Sequence, residues 1–120
     1  MRVLVVEDSP PVRDRIVRLL AVEPGLTIVG TATTNVEAVA LFDELHPDLV
    51  TLDVSLPDGV TVDTMRHMLA SAAPPTVIVI TGHVEPGYRD RYVKAGATHF
   101  MSKIDLDQLP ALVGSLLDRR

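Results

Sequence analysis

The stretch Val3-Leu4-Val5-Val6-Glu7-Asp8-Ser9-Pro10-Pro11 decides how the rest of the chain is read. Aliphatic residues in unbroken succession, without the polar alternation of a half-exposed strand, predict a strand buried on both faces. The two acids end it. Ser9 is the predicted N-cap of a helix with Pro10 at its first position, where no intrahelical N–H is needed. Val12, Ile16, Leu19 and Leu20 recur behind it at helical spacing. Glu23-Pro24-Gly25 stops that helix.

Working outward, the same alternation continues. Leu26 to Ala32 reads as a second strand. Thr34-Asn35-Val36-Glu37 reads as a capping box opening a helix with Val36, Val39, Ala40, Phe42 and Leu45 inward and Pro47 closing it. A third strand, Leu49 to Leu52, breaks at Asp53 into the turn residues Leu56-Pro57-Asp58-Gly59; helical periodicity then runs from Val60 to Ala70, with Met65 and Met68 as core packing. Pro74-Pro75 precede a fourth strand, Thr76 to Ile80, which ends at Thr81-Gly82-His83. A less apolar helix from Gly87 to Ala95 is closed by Gly96, and Thr98 to Met101 is the fifth strand. Asp105 or Asp107 caps a last helix, Asp107 being favoured, because Pro110 is tolerable only within a first turn. Strands joined throughout by helical crossovers predict a doubly wound α/β fold with a five-stranded parallel sheet, as a single domain over residues 1–120.

Composition narrows the function classes. With 47% hydrophobic and 22% charged residues the chain can bury a core, and with only Phe42, Tyr88, Tyr92 and Phe100 as aromatics that core is aliphatic. The absence of cysteine excludes disulfides, zinc-thiolate centres and thiol catalysis. A net charge of −5 opposes direct binding to nucleic acid. No apolar run approaches the roughly 20 residues of a membrane span, and Met1 to Asp8 is no signal peptide, so a cytoplasmic protein is expected.

In an open parallel sheet, functional groups gather outside the carboxyl ends of the strands. Here the first strand ends in Glu7-Asp8, the third in Asp53, the fourth in Thr81 and the fifth in Ser102-Lys103. Converging carboxylates beside one ammonium and one hydroxyl predict a site for a hard divalent cation, Mg²⁺ or alternatively Mn²⁺. The chemistry such a set fits is phosphoryl transfer onto Asp53, with Lys103 and Thr81 binding the transferring oxygens. Each residue alone has a blander reading, as helix-start acid, turn residue or surface lysine, and it is their joint placement at one sheet edge that favours a site. The histidines at 46, 67, 83 and 99 lack metal-ligand spacing. His83, two residues past Thr81, stands where it could govern water access to a phosphoryl group, and Ser55 flanks the same place.

These residues resemble the receiver domains of two-component response regulators. The likeness covers residues 2 to 117 and is carried by Glu7-Asp8, by Leu52-Asp53-Val54-Ser55-Leu56-Pro57, by Thr81 after Val77-Ile78-Val79-Ile80, by Lys94-Ala95-Gly96-Ala97 and by Lys103 after Phe100. It implies a flavodoxin-like (βα)5 fold with strand order 2-1-3-4-5. It implies Asp53 as phosphoacceptor, a metal held by Glu7, Asp8, Asp53 and the Ser55 backbone carbonyl, and Thr81 with Phe100 as a switch. The implied donor is a partner histidine kinase or histidine phosphotransfer protein, and the implied readout is the surface of the fourth helix, fifth strand and fifth helix, acting on an output protein or domain the sequence does not name.

Several positions depart from the family's usual pattern. Thr61 stands where glycine is usual, Gly82 where alanine is usual, Phe100 where tyrosine is frequent, and Ile104 where proline follows the lysine, which leaves the isomer of the Lys103–Ile104 bond open. His99 replaces the acid that often precedes the aromatic, which argues against the family's salt-bridged dimer and leaves a monomer or a phosphorylation-dependent dimer. The chain closes after the last helix, as expected of a stand-alone receiver or of one cut from a longer regulator. Two alternatives compete: a pseudo-receiver that binds partners without phosphorylation, and a metal-dependent aspartyl-phosphate phosphatase. The phosphatase reading lacks a second acid at Ser55 and a cap insertion. No dinucleotide fingerprint, phosphate-binding loop or serine nucleophile elbow is present.

Overall fold

Burial on both faces is what the aliphatic runs demand, and a computed structural model, which describes residues 1–82 and 85–118, satisfies it with one parallel sheet. Its elements are β1 (Arg2–Val6), α1 (Pro10–Ala21), β2 (Thr27–Ala32), α2 (Asn35–Leu45), β3 (Leu49–Leu52), β4 (Ser55–Leu56), β5 (Gly59–Val60), α3 (Val62–Leu69), β6 (Thr76–Thr81), α4 (Pro86–Lys94) and β7 (His99–Ser102). A 3₁₀ segment (Lys103–Gln108) then leads into α5 (Leu109–Asp118). The main sheet has the order β2-β1-β3-β6-β7 with all neighbours parallel. Setting aside the short β4–β5 ladder, this is the expected order 2-1-3-4-5, the flavodoxin-like receiver fold.

Side chains alternate across the sheet and build two cores. Leu4, Val6, Val50, Leu52, Val77 and Val79 point to the face covered by α2, α3 and α4, where Phe42, Met65, Met68 and Tyr92 pack on them. Val3, Val5, Leu49, Ile78 and Ile80 point to the other face, against Ile16 and Leu20 of α1 and Leu109 and Val113 of α5. A continuous apolar run is therefore read twice, once by each layer. Because both layers lie over strands whose carboxyl ends stay uncovered, the loops after β1, β3, β6 and β7 form one edge.

Local signals mostly act as predicted. Ser9 is the N-cap of α1 with proline directly after it, but its side chain makes no capping bond; instead its backbone N–H donates to Glu7 Oε2 at 3.1 Å. The Thr34 hydroxyl accepts from Glu37 N at 3.1 Å, while the Glu37 carboxylate reaches back to Thr33 N at 2.9 Å, one residue beyond the expected capping box. Gly96 follows α4 with φ of 111°, and a Cβ there would lie 2.8 Å from Leu69 Cδ1, so both conformation and space require glycine.

Three expectations fail. Val36 and Ala40 are exposed, Val36 by 77%; the inward face of α2 is Ala38, Leu41 and Phe42, and residues two positions from Ala38 lie about 200° round the helix, on the opposite face. Val60 belongs to the β4–β5 ladder, so α3 starts two residues later than its periodicity implied. Asp107 does not cap the last helix. The chain leaves β7 through the 3₁₀ turn, whose first N–H groups are met by Ser102 Oγ accepting from Ile104 N at 3.3 Å, and α5 grows directly out of that turn with Pro110 near its start. No cis peptide bond occurs among the described residues, so the Lys103–Ile104 bond is trans.

Candidate functional site

The edge brings together most of the residues singled out. Glu7, at the end of β1, is 1% exposed, and Asp53, after β3, is 5% exposed, whereas Asp8 faces solvent. Carboxylate oxygens of the three lie within 4.8 Å of one another. Lys103 enters from the end of β7, placing its Nζ 2.9 Å from Glu7 Oε1 and 2.9 Å from Asp53 Oδ2. The contact to Asp53 is a hydrogen bond. That to Glu7 Oε1 is a salt bridge of the same length whose angle is poorer for a hydrogen bond.

The charges shift one another in ways the burial explains. Burial raises the Glu7 carboxyl above its ordinary value, with neighbouring Asp53 adding to the rise and Lys103 and the Ser9 N–H opposing it. For Lys103, burial is the largest single influence and lowers it, but its close contacts with the Glu7 and Asp53 carboxylates together raise the ammonium's pKa. Lys103 is thus held cationic between two acids and neutralises only part of their charge.

Asp53 is held from every side. Its N–H donates to Val6 carbonyl oxygen at 3.2 Å, and its Oδ1 accepts from Val54 N at 2.7 Å. Its carbonyl oxygen accepts from Thr61 Oγ1 at 2.5 Å. Thr81, fully buried at the end of β6, lies in register with Ser102 of β7. Ser55 is exposed on β4, two residues beyond Asp53. Phe100 is half-buried on β7, its ring centroid 6.3 Å from that of Tyr92. His83 lies outside the described residues.

Sequence reading passed over two groups. Arg13, one turn into α1, directs its guanidinium toward the Glu7 carbonyl at 3.5 Å. Tyr92 on α4 is buried with its hydroxyl against Thr61 and Val54. The only hint of the second was that Thr61 occupies a glycine position of the resembled pattern.

Three carboxylates whose oxygens gather within 4.8 Å, with a single ammonium among them, suit a hard cation such as Mg²⁺, which takes oxygen ligands and retains water. The parallel sheet with acids and a lysine gathered at the carboxyl ends of its strands is the architecture of a signalling receiver module. The sequence profile described as the response regulator receiver domain matches residues 3–113, and the chain belongs to that family.

Among relatives, it is 34% identical over 105 residues to a protein-glutamate methylesterase/protein-glutamine glutaminase of Koribacter versatilis, covering 86% of this chain and 29% of that protein. It is 37% identical over 103 residues to response regulator GacA of Pseudomonas aeruginosa, covering 86% of this chain and 48% of the other. The response regulator domain of Thermotoga maritima CheB superposes with a TM-score of 0.84 at 26% identity, covering 99% and 94% of the two chains. The chain spans less than half the length of the curated relatives described here, and what is alike is the receiver of two-component signalling. No helix among the described residues is long and apolar enough to cross a membrane.

Proposed function

We propose that residues 1–120 are a single receiver domain that accepts a phosphoryl group on Asp53 from a phosphohistidine of a partner kinase or phosphotransfer protein. The observation that carries this reading is Lys103 Nζ spanning two buried carboxylates from separate strands, 2.9 Å from each. A surface built only for stability would not leave two such acids with one counter-charge.

In the proposed step an Asp53 carboxylate oxygen attacks phosphorus. The O–P bond forms as the N–P bond to the donor imidazole breaks; the bonding pair stays on the nitrogen that carried phosphorus, and the proton on the other ring nitrogen lets a neutral imidazole depart. Val54 N and Lys103 hold the carboxylate in place for attack. Lys103 and the Thr81 hydroxyl then bind phosphoryl oxygens. Glu7, Asp8, Asp53 and the Ser55 carbonyl would hold Mg²⁺, which supplies charge neutralisation at the transferring oxygens.

Phosphorylation adds roughly two negative charges and strong acceptor oxygens beside Thr81. Drawing the hydroxyl inward vacates space near Phe100, whose ring then packs more deeply, and the groove lined by Arg89, Phe100, Met101 and Gln108 changes shape for an output partner. A cytoplasmic setting suits a kinase partner.

Intact-mass measurement after incubation with acetyl phosphate tests the reading. One added phosphoryl group with Mg²⁺, and none after chelation, is expected. Full-yield addition in Asp53→Asn would refute the assignment.

A further inference from the structure

Tyr92 is the largest side chain in the core that buries completely, and its hydroxyl does not point to solvent. It lies 2.8 Å from Thr61 Oγ1 and 3.2 Å from the Val54 carbonyl oxygen, and it accepts from Thr61 N at 3.3 Å. Thr61 is itself fully buried. Each hydroxyl has one proton. The shortest contact, Thr61 Oγ1 to the Asp53 carbonyl oxygen at 2.5 Å, uses the Thr61 proton; the Val54 carbonyl, 3.2 Å from both hydroxyls, already accepts from Thr61 N at 3.0 Å, so the Tyr92 proton goes to the nearer Thr61 Oγ1 at 2.8 Å. The result is a directed chain from the Tyr92 hydroxyl through the Thr61 hydroxyl to the Asp53 carbonyl, buried along its length, and such chains strengthen cooperatively where water is excluded.

The other end of the same side chain touches Phe100, with the rings tilted at 51°. One residue of α4 therefore bonds through threonine to the backbone of the phosphoacceptor and packs on the aromatic proposed as the switch. The burial that raises the Tyr92 phenol keeps it a neutral donor at physiological pH. A glycine at position 61 would have no hydroxyl to relay, so this connection depends on the departure from the family pattern at that position.

We propose that Tyr92 is a positioning residue that couples the Asp53 backbone to α4 and Phe100 through the Thr61 hydroxyl, a route that does not pass through Thr81. The proposal rests on Asp53 being the phosphoacceptor. Any shift of the 53–54 peptide when the carboxylate acquires a phosphoryl group changes the acceptor that Thr61 faces, and the two-hydroxyl chain transmits the change to the helix.

The test compares amide NMR shifts on adding Mg²⁺ and beryllofluoride, a stable phosphoryl mimic, to the full chain as wild type, Thr81→Ala, Tyr92→Phe, Thr61→Ser and Thr81→Ala/Tyr92→Phe. Tyr92→Phe keeps the ring and removes one oxygen, and Thr61→Ser keeps the relay. Should Tyr92→Phe fail to fold, Thr61→Val takes its place as the variant that breaks the relay. The expected result is that Tyr92→Phe keeps the shifts of Asp8 and Lys103 but loses the response of α4 by about fivefold, the population shift one ordinary hydrogen bond sustains. Thr61→Ser should retain the α4 response. Thr81→Ala should retain a part of it that the double variant lacks. An α4 response of equal size in wild type and Tyr92→Phe overturns the route and leaves the Asp53 assignment standing. No shift anywhere in the wild type overturns both.

Discussion

The two ends of one sheet treat charge in opposite ways. At the amino end, the Met1 ammonium donates to Gly25 carbonyl oxygen at 2.8 Å, Arg2 Nη2 to Leu45 carbonyl oxygen at 2.8 Å, and Arg2 N to Asp48 Oδ2 at 2.7 Å, all in exposed positions. These charges close off backbone groups at strand and helix ends. At the carboxyl end, Glu7 and Asp53 are buried beside each other with the single ammonium of Lys103 between them. At the amino end exposed charges each meet a backbone or carboxylate partner, whereas at the carboxyl end two buried acids share one ammonium, an arrangement that costs stability.

The largest expected effect breaks this contrast directly. Lys103→Ala should destabilise the metal-free protein by about 3 kcal/mol, because it leaves two buried acids facing each other, and Mg²⁺ should restore part of the loss. Arg2→Ala at the other end should cost less than about 1 kcal/mol. Urea unfolding with and without Mg²⁺ measures both, and equal losses would erase the distinction between the two edges.

A smaller effect lies one layer below the site. Thr51, two residues before Asp53, is buried with Oγ1 lacking a hydrogen-bond partner. Thr51→Val replaces that hydroxyl with a methyl of the same shape and should stabilise by about 1 kcal/mol. A loss of stability in equilibrium unfolding would mean that the hydroxyl is satisfied, and that the imperfect matching is confined to Glu7.

The smallest effect sharpens the contrast within the carboxyl edge itself. Asp58, on the turn between β4 and β5, accepts from Asn35 N at 2.8 Å, Asn35 Nδ2 at 3.0 Å and Val36 N at 3.2 Å, capping α2 from outside that helix. The backbone N–H of Asn35 contributes most to lowering its carboxyl pKa below 3.8, the reverse of Glu7. A depressed folded value means that Asp58 contributes its full stability above the ordinary carboxylate pKa and loses it as pH falls through the lower folded one. The stability gap between wild type and Asp58→Ala should therefore be constant near neutrality and close in acid. A gap that widens on acidification would contradict the sign.

What the sequence disclosed follows from what is local. Val3 to Val6, Leu49 to Leu52 and Thr76 to Ile80 were legible because strands buried on both faces carry unbroken aliphatic runs. The placement of Glu7, Asp8 and Asp53 at one edge was legible because they follow the aliphatic runs of β1 and β3, whereas Lys103 follows the half-buried, mixed β7 and was placed there by the alternation of strands and helices. The inward face of α2 was misread because Val36, Val39 and Ala40 are apolar as well as Ala38 and Phe42, so apolar spacing alone did not tell which face of the helix meets the sheet. The start of α5 was misread because a 3₁₀ turn meets its first N–H groups in place of an aspartate cap. Tyr92 and Thr61 are 31 residues apart and meet only after α3 and α4 pack on the sheet, so their bond has no signature in spacing.

The most direct measurement of the central claim locates the phosphoryl group. Wild-type protein incubated with acetyl phosphate and Mg²⁺, then treated with borohydride, converts an aspartyl phosphate to homoserine at the modified position, which peptide mass spectrometry identifies. The account predicts homoserine at position 53 alone, dependent on Mg²⁺. Homoserine at Asp8, or an unmodified position 53 under conditions that phosphorylate a known receiver, would contradict it.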